Sequence, residues 1–172
     1  GEYAATIEGR GIEEMRAAGA RVPRLDLERE RAVQATALRA AEAGLLQSAH
    51  DCSDGGLAVA LAESCFSSLN RASIGVNLAL KSDALPVVEH LFGETPSRIV
   101  ISFDESAGER IREIASEANC PLTPLGVVGG TRLRISVGDD ECISTETVEL
   151  ETAWRSSLGA KLQREVLAAA AE

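Results

Sequence analysis

The chain has 172 residues and a formal charge of −10 at pH 7, from 27 acidic and 17 basic side chains; 45% of it is hydrophobic and 26% charged. That length supports one domain with a sizeable core, in an ordinary globular composition. The acidic surface repels phosphate backbones and anionic lipids, and 3% aromatic residues leave few stacking platforms, so nucleic acid and membrane surfaces are excluded as partners.

No stretch approaches the run of about 18 apolar residues that a membrane span needs, and no signal peptide opens the chain. Cys52, Cys65, Cys120 and Cys142 form no CxxC pair. They read as reduced thiols of a cytoplasmic protein. Gly1 stands where a methionine is expected, which suggests a piece of something longer.

In chain order, residues 1–24 are punctuated by Gly9, Gly11, Gly19 and Pro23 and read as a connecting arm, with room for a short helix over Ile12–Ala18. Residues 25–172 read as a single domain. Asp26 is a fitting N-cap for a helix with Glu28 and Glu30 in its first turn. Leu27, Val33, Ala37, Ala41 and Leu45 mark its apolar stripe, and Gly44 its end. Leu45–Ala49 reads as a short buried strand, and Gly56–Leu69 as a second helix whose small Ala residues suit close packing on a sheet. A strand is expected over Ala72–Leu80, then a helix from Ser82 to Leu91 with Pro86 in its first turn. Phe92-Gly93-Glu94-Thr95-Pro96 breaks that helix.

Arg98–Phe103 is apolar enough for a central strand, and Glu105–Ala118 has strong helical periodicity. Leu122–Val128 and Leu133–Val137, joined through Gly129-Gly130, read as a hairpin with positive φ at the glycines. Residues 137–148 suggest a turn and a short strand, and Thr152–Ala171 a last helix carrying Trp154, Leu158, Leu162 and Val166. Alternating helices and strands predict a mixed α/β (α+β) domain, with helices packed on a mixed sheet of about five strands.

Chemistry concentrates in Ser48-Ala49-His50-Asp51-Cys52-Ser53-Asp54-Gly55-Gly56-Leu57. A strand, a polar Gly-rich turn and a helix in that order present unpaired helix-terminal amides to an anion. Gly55 and Gly56 permit close backbone approach, and Ser53 adds a hydroxyl donor. Asp51 and Asp54 repel a bare phosphate but can hold Mg²⁺, which bridges carboxylate and phosphate oxygens. A purely structural reading stands beside this one: Ser53 or Asp54 as the helix N-cap, and His50 hydrogen-bonded to a carbonyl.

Residues 48–63 closely resemble the last domain of the formylglycinamide ribonucleotide amidotransferases, also called phosphoribosylformylglycinamidine synthases. Leu25-Asp-Leu-Glu upstream, Leu91-Phe-Gly-Glu-Thr-Pro-Ser-Arg-Ile-Val-Ile-Ser downstream and Leu125-Gly-Val-Val-Gly-Gly fit as well. His-Asp-x-Ser-Asp-Gly-Gly is the specific run. The resemblance implies an aminoimidazole ribonucleotide synthetase-like C-terminal domain, inactive alone, from an ATP-dependent carbon–nitrogen ligase of purine biosynthesis. The whole enzyme converts formylglycinamide ribonucleotide, ATP and glutamine-derived ammonia to formylglycinamidine ribonucleotide, ADP and phosphate.

Its implied cofactors are Mg²⁺ and ATP or ADP. The implied partners are the enzyme's other domains, a glutaminase and small accessory subunits, or a second copy paired through an exposed apolar face. Asp51 carries over as a metal ligand, and Ser53 as a nucleotide-phosphate donor. Gly55 and Gly56 follow from the helix dipole. His50 and Asp54 are supporting candidates. No residue of this stretch carries over as catalytic.

Glu94 and Arg98 could pair with each other and fix their loop against a neighbouring domain. His90 reads as a satisfied or solvent-facing helix residue. The Gly-x-Ser-x-Gly run of serine hydrolases and paired zinc-ligand spacings are absent. Hydrogenase-maturation and selenophosphate-synthetase relatives of the superfamily give the alternative, a binding or scaffolding module. Ser53-Asp54 departs from the Thr-Arg pair expected in the hydrogenase-maturation branch.

Overall fold

The computed structural model describes residues 24–68, 70–82 and 85–169. The expected helix at Ile12–Ala18 and all but the last residue of the expected arm lie outside them. The described residues divide into two compact units, one within 24–64 and 81–125, the other within 65–80 and 126–169.

The first unit opens with α1 (Leu27–Glu42). Asp26 caps it as expected, its Oδ1 accepting from the Glu28 and Arg29 amides at 3.0 and 3.1 Å. Gly44, at φ +68°, ends it and donates to Ala41 O. The buried face differs from the expected stripe. Thr36 and Ala40 are buried, whereas Leu27 is 63% exposed. Polar Thr36 can face inward because its hydroxyl donates to the Ala32 carbonyl at 2.8 Å.

Strand β1 is Ser48–Asp51, three residues later than the apolar run predicts. Leu45 and Leu46 leave α1 as loop residues and pack on a core of Ala40, Ile111 and Ile114, with Ile101, Phe103, Ala107 and Leu122. Hydrophobicity at 45–46 thus marks core filling, not a strand. Helix α2 (Gly56–Cys65) buries Leu57, Ala58, Ala60, Leu61 and Cys65.

After Pro86, α3 (Val87–Phe92) is shorter than expected; Pro86 stands at its N-cap and its carbonyl accepts from Glu89 and His90. Strand β3 (Ile99–Ser102) pairs antiparallel with β1 alone among the described residues, from Ser48↔Ser102 to Asp51↔Ile99, and is half-buried throughout. The expectation of a central strand is not met: β3 has one described neighbour, and its Ile101 packs on the helical core. A 3₁₀ turn, Glu105–Ala107, leads into α4 (Gly108–Glu117), which buries Ile111, Ile114 and Ala115. Arg39 of α1 pairs with Glu117 of α4.

The second unit is a four-stranded mixed sheet and a helix. The α2 pattern stops at Cys65 rather than Leu69. Ser68 and Arg71 exchange backbone hydrogen bonds around Asn70, whose φ is +63°. Strands β2 (Val76–Leu80), β4 (Gly126–Val128), β5 (Arg132–Val137) and β6 (Asp140–Glu146) are arranged β4-β2-β5-β6. The mixed α/β class holds, with the strands apportioned between a pair and this sheet of four.

The hairpin expected across Gly129-Gly130 is not formed. The segment does reverse direction, and both glycines have positive φ, but β2 lies between its arms, antiparallel to β4 and parallel to β5. Gly75 leads β2 into that slot. Its amide donates to Gly130 O, its carbonyl accepts from Gly129, and a Cβ there would stand 2.6 Å from Arg132 N. The true hairpin is β5–β6, turned at Gly138-Asp139. Val76 and Leu78 of β2 and Leu133, Ile135 and Val137 of β5 are buried at alternate positions, the mark of a one-sided sheet.

Helix α5 (Thr147–Ala169) begins five residues before the expected Thr152. Buried Thr147 donates to Thr131 O through both its amide and its hydroxyl, anchoring the helix on the sheet. Further along, Glu151 accepts from the Ser67 amide and hydroxyl and from Arg155. Phe66 packs on Trp154 at 5.5 Å between ring centroids. Among the described residues, no helix is long and apolar enough to cross a membrane.

Candidate functional site

The polar run folds into a junction of two loops in the first unit. One is the turn from β1 into α2, residues 52–55. The other joins α3 to β3, residues 93–98. The β1–β3 ladder holds them side by side and extends one step further, where Cys52 N donates to Arg98 O at 3.0 Å.

Cys52 is buried, and burial pushes its thiol pKa up. Asp51, Ser53 and Asp54 are exposed. The neighbouring Ser53 side chain and, after it, the residue's own backbone hold the Asp51 carboxyl below its ordinary value; burial opposes this weakly. The turn thus sets an exposed carboxylate and a hydroxyl side by side.

His50 is oriented from both ends. Its Nδ1 lies 2.7 Å from Asp51 O, and its Nε2 lies 3.2 Å from a Glu63 carboxylate oxygen. The carbonyl contact anticipated for His50 is thus present. Glu63 was missed as a partner. It lies two turns into α2, and only the fold of the turn aims that face of the helix at β1.

The helix N-terminus is not an empty cradle. Gly55, at φ +79°, donates its amide to Glu94 Oε1 at 3.0 Å, and Gly56 donates to Ser53 O at 3.1 Å. A carboxylate thus sits where the helix dipole favours negative charge. Neither Ser53 nor Asp54 caps α2 with its side chain: the Glu94 carboxylate and the Ser53 main chain close that end. Gly56 has a second reason to be glycine. At φ +67°, a Cβ would stand 2.8 Å from both the Phe92 carbonyl carbon and the Gly93 carbonyl oxygen.

The contact of Glu94 with Arg98 read from the sequence is replaced by two backbone anchors. Glu94 turns to Gly55. Arg98 donates to Gly93 O and, through Nε, to Thr95 O at 3.1 Å, closing its own loop. His50, Asp51, Ser53, Gly55, Gly56, Glu94 and Arg98 all meet at this junction, and Asp54 stands exposed at its rim. Among the described residues, no group of three or more His, Cys, Asp or Glu side chains converges as a metal site.

Residues 3–138 match the family described as AIR synthase related protein, C-terminal domain. The chain belongs to that family. Within it, the chain is similar to phosphoribosylformylglycinamidine synthase subunit PurL of Anaeromyxobacter dehalogenans, at 45% identity over 159 residues, which is 88% of this chain and 20% of that protein. It therefore spans about one fifth of the length of the curated relatives it matches.

Among solved structures, phosphoribosylformylglycinamidine synthase II from Thermotoga maritima shares the fold with a TM-score of 0.63 at 20% identity, over 76% of this chain and 22% of that one. The Thermotoga PurL complexed with ATP superposes with a TM-score of 0.59 at 20% identity, over 70% and 21%. Other structures with this fold are PurL complexed with FGAR and the PurLQS assembly.

Proposed function

We propose that this chain is the C-terminal domain of the synthetase subunit of a phosphoribosylformylglycinamidine synthase, residues 25–172 forming one domain behind a connecting arm. In the whole protein the reaction is ATP-dependent amidination of formylglycinamide ribonucleotide by glutamine-derived ammonia, releasing ADP and phosphate. The observation that carries this reading is 45% identity to a PurL subunit across 88% of the chain. The PurLQS assembly supports a glutaminase and a small accessory subunit as partners. Free thiols and an acidic composition suit the cytoplasm.

Within that protein, the exposed turn contributes one side of a Mg²⁺–nucleotide site. Mg²⁺ keeps water ligands and takes one or two carboxylates together with phosphate oxygens. A single ionised Asp51 fits that donor set; a cage built wholly from this chain does not. Asp51 would hold the ion, the Ser53 hydroxyl would rotate from Asp51 to donate to a phosphate oxygen, and His50 and Asp54 would support the turn. Bound Mg²⁺ neutralises phosphate charge, without which the acidic turn would repel the nucleotide. The Gly55 amide is already given to Glu94, so Gly55 and Gly56 serve by shape more than by donation.

Two measurements test this. The full-length natural chain should form ADP from formylglycinamide ribonucleotide, ATP and ammonia, and the 172-residue chain alone should not. Turnover by the short chain would overturn the view that it is one part of a divided site. In the full-length chain, Asp51→Asn should lower Mg²⁺-ATP retention while melting stays unchanged; unaltered retention would remove the role given to Asp51.

A further inference from the structure

The loop from Gly93 to Arg98 is tied down along its length. Gly93 N donates to Glu89 O, Arg98 closes on the Gly93 and Thr95 carbonyls, and Ser97, held at φ +62°, donates through Oγ to Glu30 of α1 at 2.6 Å. The turn it faces has one backbone bond across it, Gly56 N to Ser53 O, and passes into α2 through Gly55 and Gly56, both at positive φ. The backbone of the turn touches the braced loop at three places: Cys52 N on Arg98 O, Gly56 against Phe92 and Gly93, and the Gly55 amide on Glu94. Only the last depends on a side chain's reach and chemistry.

We propose that Glu94 is a positioning residue for Asp51 and Ser53: its carboxylate, presented by the braced loop, holds the Gly55 amide and so sets where α2 begins and how the turn displays those two side chains. This rests on the reading of Asp51 and Ser53 as the nucleotide side of the junction. Glu94 itself touches no ligand in this scheme. What matters is an acceptor at the end of a two-methylene stem, not the negative charge alone.

The experiment compares Glu94→Gln, Glu94→Asp and Glu94→Ala in the full-length natural chain, by hydrogen exchange of the peptide spanning residues 52–58 and by Mg²⁺-ATP retention. The Gln carbonyl can accept the same amide; Asp keeps the charge but falls short by a methylene. Loss of one terminal capping bond raises local opening about five- to tenfold. Asp and Ala should therefore speed exchange by about that factor and weaken Mg²⁺-ATP retention, while Gln stays within about twofold of the parent on both.

Exchange unchanged in Asp and Ala overturns the proposal, as does a Gln variant as loose as Ala. It is also overturned if the turn loosens and Asp51→Asn releases the nucleotide while Glu94→Ala retains it fully. Should the turn loosen while neither Asp51→Asn nor Glu94→Ala alters retention, the positioning of the turn stands and the nucleotide reading falls. If Ala fails to fold, the Gln–Asp pair decides the question.

Discussion

Gly44 and Gly56 form a matched pair for measuring how tightly the two loops of the site meet. Both lie in the first unit, at nearly the same φ, +68° and +67°. A Cβ at Gly44 meets nothing within 4 Å, whereas one at Gly56 would stand 2.8 Å from two backbone atoms of the opposing loop. Gly44→Ala therefore carries only the left-handed penalty of about 1–2 kcal/mol, reduced by about 0.4–1 kcal/mol because alanine restricts the unfolded chain. About 1 kcal/mol of destabilisation is expected.

Gly56→Ala carries the same conformational terms plus an overlap with backbone that cannot rotate away. Overpacking of that kind adds about 1–3 kcal/mol, for a total of about 2–4 kcal/mol. The assay is urea unfolding of both variants with a shared m-value. In a domain of this size each kcal/mol moves Tm by about 2–4 °C, so the two should separate clearly by melting as well. Equal destabilisation of the two variants would refute the claim that residues 92–93 press against the start of α2.

Two further outcomes follow from packing and charge. Ile111 is fully buried against Ala40 and Ile114, so Ile111→Ala should cost about 2–5 kcal/mol in denaturant unfolding, and Ile111→Val much less. Glu151 accepts two bonds from Ser67 and one from Arg155, which hold its carboxyl down to about 2 from an ordinary 4.5. A depressed acid stabilises the fold above its unfolded value, and that stability drains as pH falls from about 4.5 toward 2. The parent should lose Tm through that window, and Glu151→Gln should lose less of it. Parallel pH profiles for the two would show that this network does not govern acid stability.

What could be read from residues alone was local. Asp26 and Gly44 bound α1 because a cap and a left-handed terminator act within a few residues of the chain. The periodicity of α4 survives because Ile111, Ile114 and Ala115 lie on one face of one helix. The positive φ of Gly129 and Gly130 was foreseeable for the same reason. The polar run at 48–57 was legible as a turn between a strand and a helix, because its glycines and polar residues break the flanking patterns locally.

What only the tertiary structure decided was pairing at long range. A β2 strand fifty residues upstream separates the two arms of the expected hairpin, and the marks it leaves are the missing side chains at Gly75 and Gly126, whose partners cannot be told from sequence. Leu45 and Leu46 look like a strand, yet they fill a core whose other wall, α4, lies more than sixty residues away. The amides at the start of α2 belong to the same class. Sequence reading left them open to an anion, because the acceptor that takes one of them, Glu94, sits 39 residues further on. Capping and helix periodicity are properties of a segment; strand order, core membership and the partner of a helix terminus belong to whatever the fold brings alongside.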